Sequence, residues 1–409
     1  MDTEELRADV VILGAGLVGL TLALALDAHG LSAIVIDPAD PASLHAPGHD
    51  GRASAVASAS WRFLEAIGVA PRLEGAGCAI RTIAVRDGLE PRPLRFDADQ
   101  GDPLGIMVEN RTLRRTLHDA AAGAANVRLL QPARPVATER SVHGVTVTLA
   151  DGRIARGALL VAAEGRQSPT REAAGIRIAR WSYDHAAIVT MLGHERPHGH
   201  VAHEIFYPAG PFALLPLIDD AEGRHRSALV WSVAAADAPG LLGLGPRGFA
   251  DAALKAMGGL LGSVELIAAR STYPLGFHHA ATMTAERLAL IGDAGHGIHP
   301  IAGQGLNLGF RDAAALAQVL VEGARLGLDP GDAQLLARYD RWRGLDTLSV
   351  AAATDGLTRL FGLPGAVPRA VRRFGLGVVE RVGPLKDMFM AEARGESGEL
   401  PTLLRGELV

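Results

Sequence analysis

A single cysteine, Cys78, in a chain of 409 residues excludes an intramolecular disulfide framework and any metal centre built from several thiolates. It suits a reducing compartment, and Cys78 itself is expected as a small, partly buried apolar residue. No apolar run reaches the 18 or so residues that a membrane-spanning helix needs, so no bilayer span is expected. An excess of positive charge is lacking too: a formal net charge of -5 argues against non-specific nucleic-acid binding. The chain carries no internal repeat and no low-complexity tract. Its first apolar run, Val10 to Leu13, follows Asp2, Glu4 and Glu5 and leads into glycines, which is not the pattern of a signal peptide. What is present, 48% hydrophobic and 21% charged residues with 49 glycines, is a soluble globular composition long enough for two or three domains. A cytoplasmic location is the expectation.

The amino-terminal unit reads strand, glycines, helix, strand. DVVIL (9–13) runs into GAGLVG (14–19), then into an apolar helix closed by Gly30, and SAIVID (32–37) ends in an acid. In such a unit Gly14 makes the turn, Gly16 lets backbone approach a pyrophosphate, and Gly19 lets helix and strand pack closely. Asp37, 21 positions after Gly16, sits where a carboxylate takes the hydroxyls of an adenosine ribose. The pattern predicts a dinucleotide and does not separate NAD from FAD.

A remote stretch bears on that choice. Arg287 to Ile291 reads as a buried strand, Gly292-Asp293 places a carboxylate at its end, and Gly303, Gly305, Asn307 and Gly309 open an apolar helix through Ala324. Free backbone N–H groups at a helix start favour negative charge. FAD is long enough to require such a second contact region, and no second G-x-G-x-x-G follows a strand.

Between these ends, Ala53 to Ile67 reads as a helix preceded by Arg52, and Gly105 to Glu109 as a strand. Asn110 is expected to cap a helix carrying Arg111 and Arg114 on one face. ALLVAA (158–163) is a buried strand followed by EGRQSPTREAAG, in which Ser168 or Thr170 can cap a short helix containing Arg171. From Arg180 to Ala236 the pattern changes to longer alternating strands, an antiparallel sheet inserted into the nucleotide-binding fold. His194, His198, His200 and His203 cluster there, but no thiolate or close pair of carboxylates completes a shell, and no metal is assigned.

Three stretches together, GAGLVG at 14–19, EGRQSPTR at 164–171 and GDAGHGIHPIAGQGLNLG at 292–309, resemble the flavoprotein aromatic hydroxylases with a p-hydroxybenzoate-hydroxylase-like fold. HPIAGQGLNLGFRD (299–312), PFALLPL (211–217) and the tail at 360–390 are similar to the ubiquinone-biosynthesis hydroxylases within that group. The resemblance implies an α/β architecture. A Rossmann-like FAD-binding domain (1–179 and 272–345) would hold an inserted antiparallel-sheet substrate domain (180–271) and a helical tail (346–409).

It implies non-covalent FAD, NAD(P)H as electron donor, and transfer of one oxygen atom from dioxygen to an electron-rich ring carbon of a polyprenylated phenol. By position, Gly14, Gly16, Gly19 and Asp37 would hold the ADP half of FAD, and Arg52 and Arg111 would lie near its pyrophosphate and flavin. Asp293 would meet the ribitol, Gly305, Leu306 and Asn307 the flavin pyrimidine, and Pro300 would line the reaction site beside Arg52. No side chain is assigned as an acid or base. Phe212, Ala213, Leu215 and Pro216 would form the far wall of the substrate pocket. The family's middle motif reads Asp-Gly where this chain has Glu164-Gly165, which leaves the link of Glu164 to the cofactor open. Alternatives are a hydroxylase of a soluble phenol, a flavin-dependent reductase, or a non-catalytic FAD-bearing subunit of the biosynthetic assembly. The tail, with apolar patches between Arg359, Arg369, Arg372, Arg373, Arg381 and Lys386, reads as a docking surface for lipid on the inner face of the cytoplasmic membrane or for proteins of that assembly. A homo-oligomer is compatible with the sequence.

Overall fold

The computed structural model describes residues 4–45, 51–98, 101–297, 304–344, 346 and 382–409. The strand Val10–Leu13 is wholly buried and lies in a six-stranded sheet among the described residues. From one edge the order is Thr284–Ala285, Leu288–Leu290, Leu159–Ala162, Val10–Leu13, Ala33–Ile36 and Val127–Leu130. All its pairs are parallel except the first. The four central strands, buried on both faces, are apolar runs rather than alternations, as parallel strands are.

The helix Leu17–Asp27 is buried all round from Gly19 to Leu26, with Leu20, Leu22, Leu24 and Leu26 each contributing roughly 1.5–3 kcal/mol through burial. The long helix Gln304–Arg325 crosses it closely: a Cβ at Gly309 would stand 2.6 Å from Cγ2 of Val18. Phe310, Ala313, Ala317 and Leu320 fill the same core, as the helical spacing predicts.

The second large unit is a mixed sheet. Its main path runs His296–Gly297, Ser271–Ala280, Ile178–His194, His225–Ala234, Gly210–Leu217, Val201–Tyr207, Thr82–Asp87, Leu94–Asp97, with Val264–Leu266 pairing off it. It is antiparallel apart from the pair of Val201–Tyr207 with Thr82–Asp87. Two strands from before residue 100 thus extend the sheet that begins at 178. One face packs around Phe212, Leu229 and Phe249; the other meets the strands Gly77–Ile80 and Gly105–Glu109 through Ile80, Met107 and Met191.

Two local readings are corrected. Ala53–Ala57 is a strand, antiparallel to Gly105–Glu109, and the helix starts only at Ser58. Asn110 is the first residue of its helix rather than its cap; its side chain accepts a hydrogen bond from Ser54 Oγ at 2.6 Å instead. Ser168 does cap the helix Pro169–Ala173, its Oγ accepting from Arg171 N–H.

Candidate active site

At the turn after Val10–Leu13, Gly14 has φ +110°, and a Cβ there would lie 2.5 Å from the Ala163 carbonyl oxygen. A Cβ at Gly19 would strike the Gly14 carbonyl oxygen at 2.1 Å, so helix and turn touch directly. A Cβ at Gly16 would meet nothing within 4 Å, and the same holds at Gly305. These two positions therefore leave open backbone. Asp37 closes the loop from the next strand: its Oδ2 accepts from Ala15 N–H at 2.7 Å and its Oδ1 from Ala39 N–H at 2.8 Å.

Two cavities contain most of the residues singled out in the sequence. One, of about 710 Å³, is lined by Gly14, Asp37 and Glu164. The other, of about 610 Å³, lies against the mixed sheet and is lined on its far side by Arg52, Asp293, Gly305, Leu306 and Asn307. Arg111 stands in the first turn of its helix and lines neither. Pro300 lies outside the described residues.

Asp293 is exposed on a short 3-10 turn, Gly292–Ala294, at the end of the strand Leu288–Leu290. The turn is held from beneath. Asp312, fully buried, accepts from Gly292 N–H at 2.8 Å, from His296 Nε2 at 2.6 Å and from Arg343 Nε at 2.7 Å. Burial alone would raise its pKa, yet His296 and Arg343 hold the carboxyl below its ordinary range. Tyr339, also fully buried, donates to the Leu290 carbonyl at 2.8 Å, and Arg171 donates to that of Ala294 at 2.9 Å. His278 Nε2 lies 2.9 Å from the Asp293 carbonyl oxygen, its pKa lowered by burial, with Arg166 adding to that effect. The turn is fixed and its carboxylate is left outward.

The Asn307 side chain has a structural part of its own. Its Oδ1 accepts from Ala57 N–H and its Nδ2 donates to the Ala55 carbonyl, both at 2.9 Å, which fastens the helix start to the strand after Arg52. Glu164 is taken up locally as well: its carboxylate accepts from Ser168 Oγ at 2.6 Å, Thr170 Oγ1 at 2.9 Å and Thr170 N–H at 3.3 Å.

On the sheet wall the sequence reading is half corrected. Ala213 and Leu215 line the cavity, but Phe212 faces the other way, fully buried with its ring 5.2 Å from that of Trp231. Pro216 is not among the lining residues either. Strand alternation permits no other result, since successive side chains point to opposite faces. Sequence reasoning missed Arg166, Asn110 and Glu204, all of which line this cavity. For Glu204 a signal existed: in VAHEIFY it shares a face with Ala202 in an otherwise apolar setting.

Residues 7–347 match the FAD binding domain family. The chain is 46% identical to the ubiquinone hydroxylase UbiL of Rhodospirillum rubrum, over 98% of this chain and 93% of that one. The chain belongs to the ubiquinone-biosynthesis hydroxylases. A second member, the 3-demethoxyubiquinol 3-hydroxylase of Escherichia coli, is 33% identical over 95% of this chain and 98% of its own length. Among solved structures, p-nitrophenol 4-monooxygenase from Pseudomonas putida superposes with a TM-score of 0.76, covering 97% of this chain and 100% of that one; at 18% identity it speaks for the fold, a p-hydroxybenzoate-hydroxylase-like one. As a hydroxylase of this family the protein is an FAD-dependent monooxygenase that draws electrons from NAD(P)H and acts with dioxygen on an aromatic substrate. The open backbone at Gly16 and Gly305 and the outward Asp293 carboxylate fit such a cofactor: donors for phosphate and ring oxygens, an acceptor for hydroxyls.

Proposed function

We propose that this hydroxylase acts on the ring of a prenylated phenol on the route to ubiquinone. The observation that carries the reading is the cavity of about 610 Å³, apolar on the sheet side through Ala187, Val189, Ala213, Leu215 and Val230 and bordered by the Asp293 turn on the other. The flavin would take the side lined by Arg52, Asp293 and Gly305 to Asn307, which leaves the apolar sheet side for the substrate ring. The names of the Rhodospirillum and Escherichia relatives support the same pathway.

In this reading Gly14, Gly16, Gly19 and Asp37 hold the ADP half of FAD, with Arg52 and Arg111 towards the pyrophosphate and flavin. Asp293 accepts from the ribitol, and backbone at Gly305, Leu306 and Asn307 faces the flavin. When bound, FAD supplies electron transfer from NAD(P)H and activation of dioxygen. The protein orients the ring, places charge and excludes water. Glu164 is taken up by Ser168 and Thr170 at the start of the helix Pro169–Ala173, and so gives no support to a non-catalytic subunit. The FAD-binding domain would be 1–179 and 272–345 around the sheet domain, to which the strands Thr82–Asp87 and Leu94–Asp97 also contribute.

No helix among the described residues is long and apolar enough to cross a membrane. A prenylated substrate resides in lipid, so the protein would work at the inner membrane surface or receive substrate from proteins of the biosynthetic assembly. Of the tail, 347–381 lies outside the described residues; the helix Gly383–Ala393 packs Phe389 against Phe96 at 6.3 Å and exposes Met388. The decisive experiment is quinone profiling of a deletion strain: a precursor short of one ring hydroxyl should accumulate. An unchanged quinone profile would remove the reading.

A further inference from the structure

The residues that the mixed sheet contributes to the 610 Å³ cavity are apolar apart from Tyr273 at 40% exposure and Glu204 at 9%. Glu204 sits in the middle of the strand Val201–Tyr207, in register with Ala213 on one side and Val85 on the other. Its neighbours on the cavity face are thus Ala202, Ala213 and Leu215. Among the described residues its carboxyl makes no hydrogen bond and no ion pair. Burying an acid without a partner is unfavourable, and nothing among the described residues offsets it. A ligand that brings an O–H donor into the cavity does.

We infer that Glu204 accepts the proton of the substrate's ring hydroxyl. This deepens the proposed function and rests on the substrate being a phenol. The O–H bond of the substrate breaks as a carboxyl O–H forms, and the electron pair stays on the ring oxygen. That raises electron density at the ring carbons ortho and para to it, where an electrophilic oxygen attaches. The attached atom is one oxygen of dioxygen; the other leaves as water with the two electrons that NAD(P)H supplies. The hydroxylated carbon sheds its hydrogen as a proton that ends in that water, and the carboxyl returns its own proton to the ring oxygen. The carboxylate is restored and the product carries one more hydroxyl.

The electrostatics agree with that role. Desolvation pushes the Glu204 pKa up to about 7, with no charged neighbour contributing. A base so placed is closer to a phenol, whose ordinary pKa is about 10, than an unperturbed carboxylate is, and general-base efficiency follows that gap. The other titratable groups facing the cavity are Arg52, Arg166 and Asp293 on the opposite wall and Tyr273. On the adjoining strand Asp87 lies two positions beyond Val85, while Arg86 and His203, 3.5 Å apart, are on the other face of the sheet.

The test uses the FAD-loaded enzyme with 2-prenylphenol and its methyl ether, following both turnover and the perturbation of flavin absorbance on binding. The wild type should bind the phenol about tenfold or more tightly than the ether above pH 7, with the preference shrinking as Glu204 protonates. Glu204→Gln should keep its FAD, bind the two compounds within about threefold at every pH, and lose roughly 10²–10⁴ in kcat together with the rise of kcat through neutral pH. Glu204→Asp should restore the pH-dependent rise at reduced amplitude. A Glu204→Gln enzyme that hydroxylates with the wild-type pH profile overturns the inference and leaves the hydroxylase reading intact. A wild type that neither binds nor hydroxylates the phenol overturns both.

Discussion

The two walls of the cavity each contain a buried acid, and the two are treated oppositely. Beneath the Asp293 turn, Asp312 is surrounded by a backbone N–H, a histidine and an arginine, and its ionised form is favoured. In the sheet wall, Glu204 is enclosed by alkyl groups and its neutral form is favoured. The first arrangement fixes backbone; the second leaves a hydrogen-bonding group in want of a partner and aimed at empty space. A buried polar group that the fold satisfies is part of the scaffold, whereas one it leaves unsatisfied is a candidate for function.

The largest effect should come from breaking the satisfied acid. Asp312→Ala strips His296 and Arg343 of their shared partner, and removing one member of such a buried set costs about 3–5 kcal/mol. Urea unfolding of the apoprotein should register it, with FAD content falling in parallel.

Glu204→Gln should do the reverse to stability. The folded pKa of about 7 lies above the ordinary 4.5, so the folded chain holds a proton that the unfolded chain has released. Stability therefore falls as pH rises from about 4.5 to 7 and stays lower above that. The substitution should raise apoprotein stability at pH 8 by up to about 3 kcal/mol and leave it unchanged at pH 4. Equal unfolding midpoints for the two proteins at pH 8 would erase the contrast between the acids.

Asp293 sharpens the comparison, being exposed and facing ligand. Asp293→Ala should leave the apoprotein's unfolding midpoint alone and weaken FAD binding tenfold or more, for a loss of roughly 1.5–3 kcal/mol. Retention of wild-type FAD affinity in a fluorescence titration would contradict its assignment. The smallest effect belongs to Glu164, whose partners are local: Glu164→Ala should cost about 1 kcal/mol in thermal unfolding through the helix Pro169–Ala173.

What was legible in the sequence was what local rules dictate. The Gly14–Gly19 turn, the strand ending at Gly292-Asp293, the cap at Ser168 and the buried stripe of the helix Gln304–Arg325 each follow from spacing. What was not legible depended on distant partners. Ala53–Ala57 is made of alanine, serine and valine, which suit helix or strand; pairing with Gly105–Glu109 decides it. The strands Thr82–Asp87 and Leu94–Asp97 joined a sheet whose other members lie beyond 177, which no window of sequence reveals. Phe212 was assigned to the pocket because a run of apolar residues was treated as one surface, although a strand offers two. For Glu204 the chain offers only an acid in a mostly apolar strand; its isolation from any partner exists across strands.

The clasp formed by Asn307 has a consequence in time. Its partner Ala57 precedes it by 250 positions. At about 5–20 residues per second of synthesis, the strand Ala53–Ala57 waits roughly 12–50 s for the side chain that secures it. The wall facing the sheet is thus completed late in translation, and a nascent chain that stops before Asn307 carries a strand whose Ala55 carbonyl and Ala57 N–H still await that side chain.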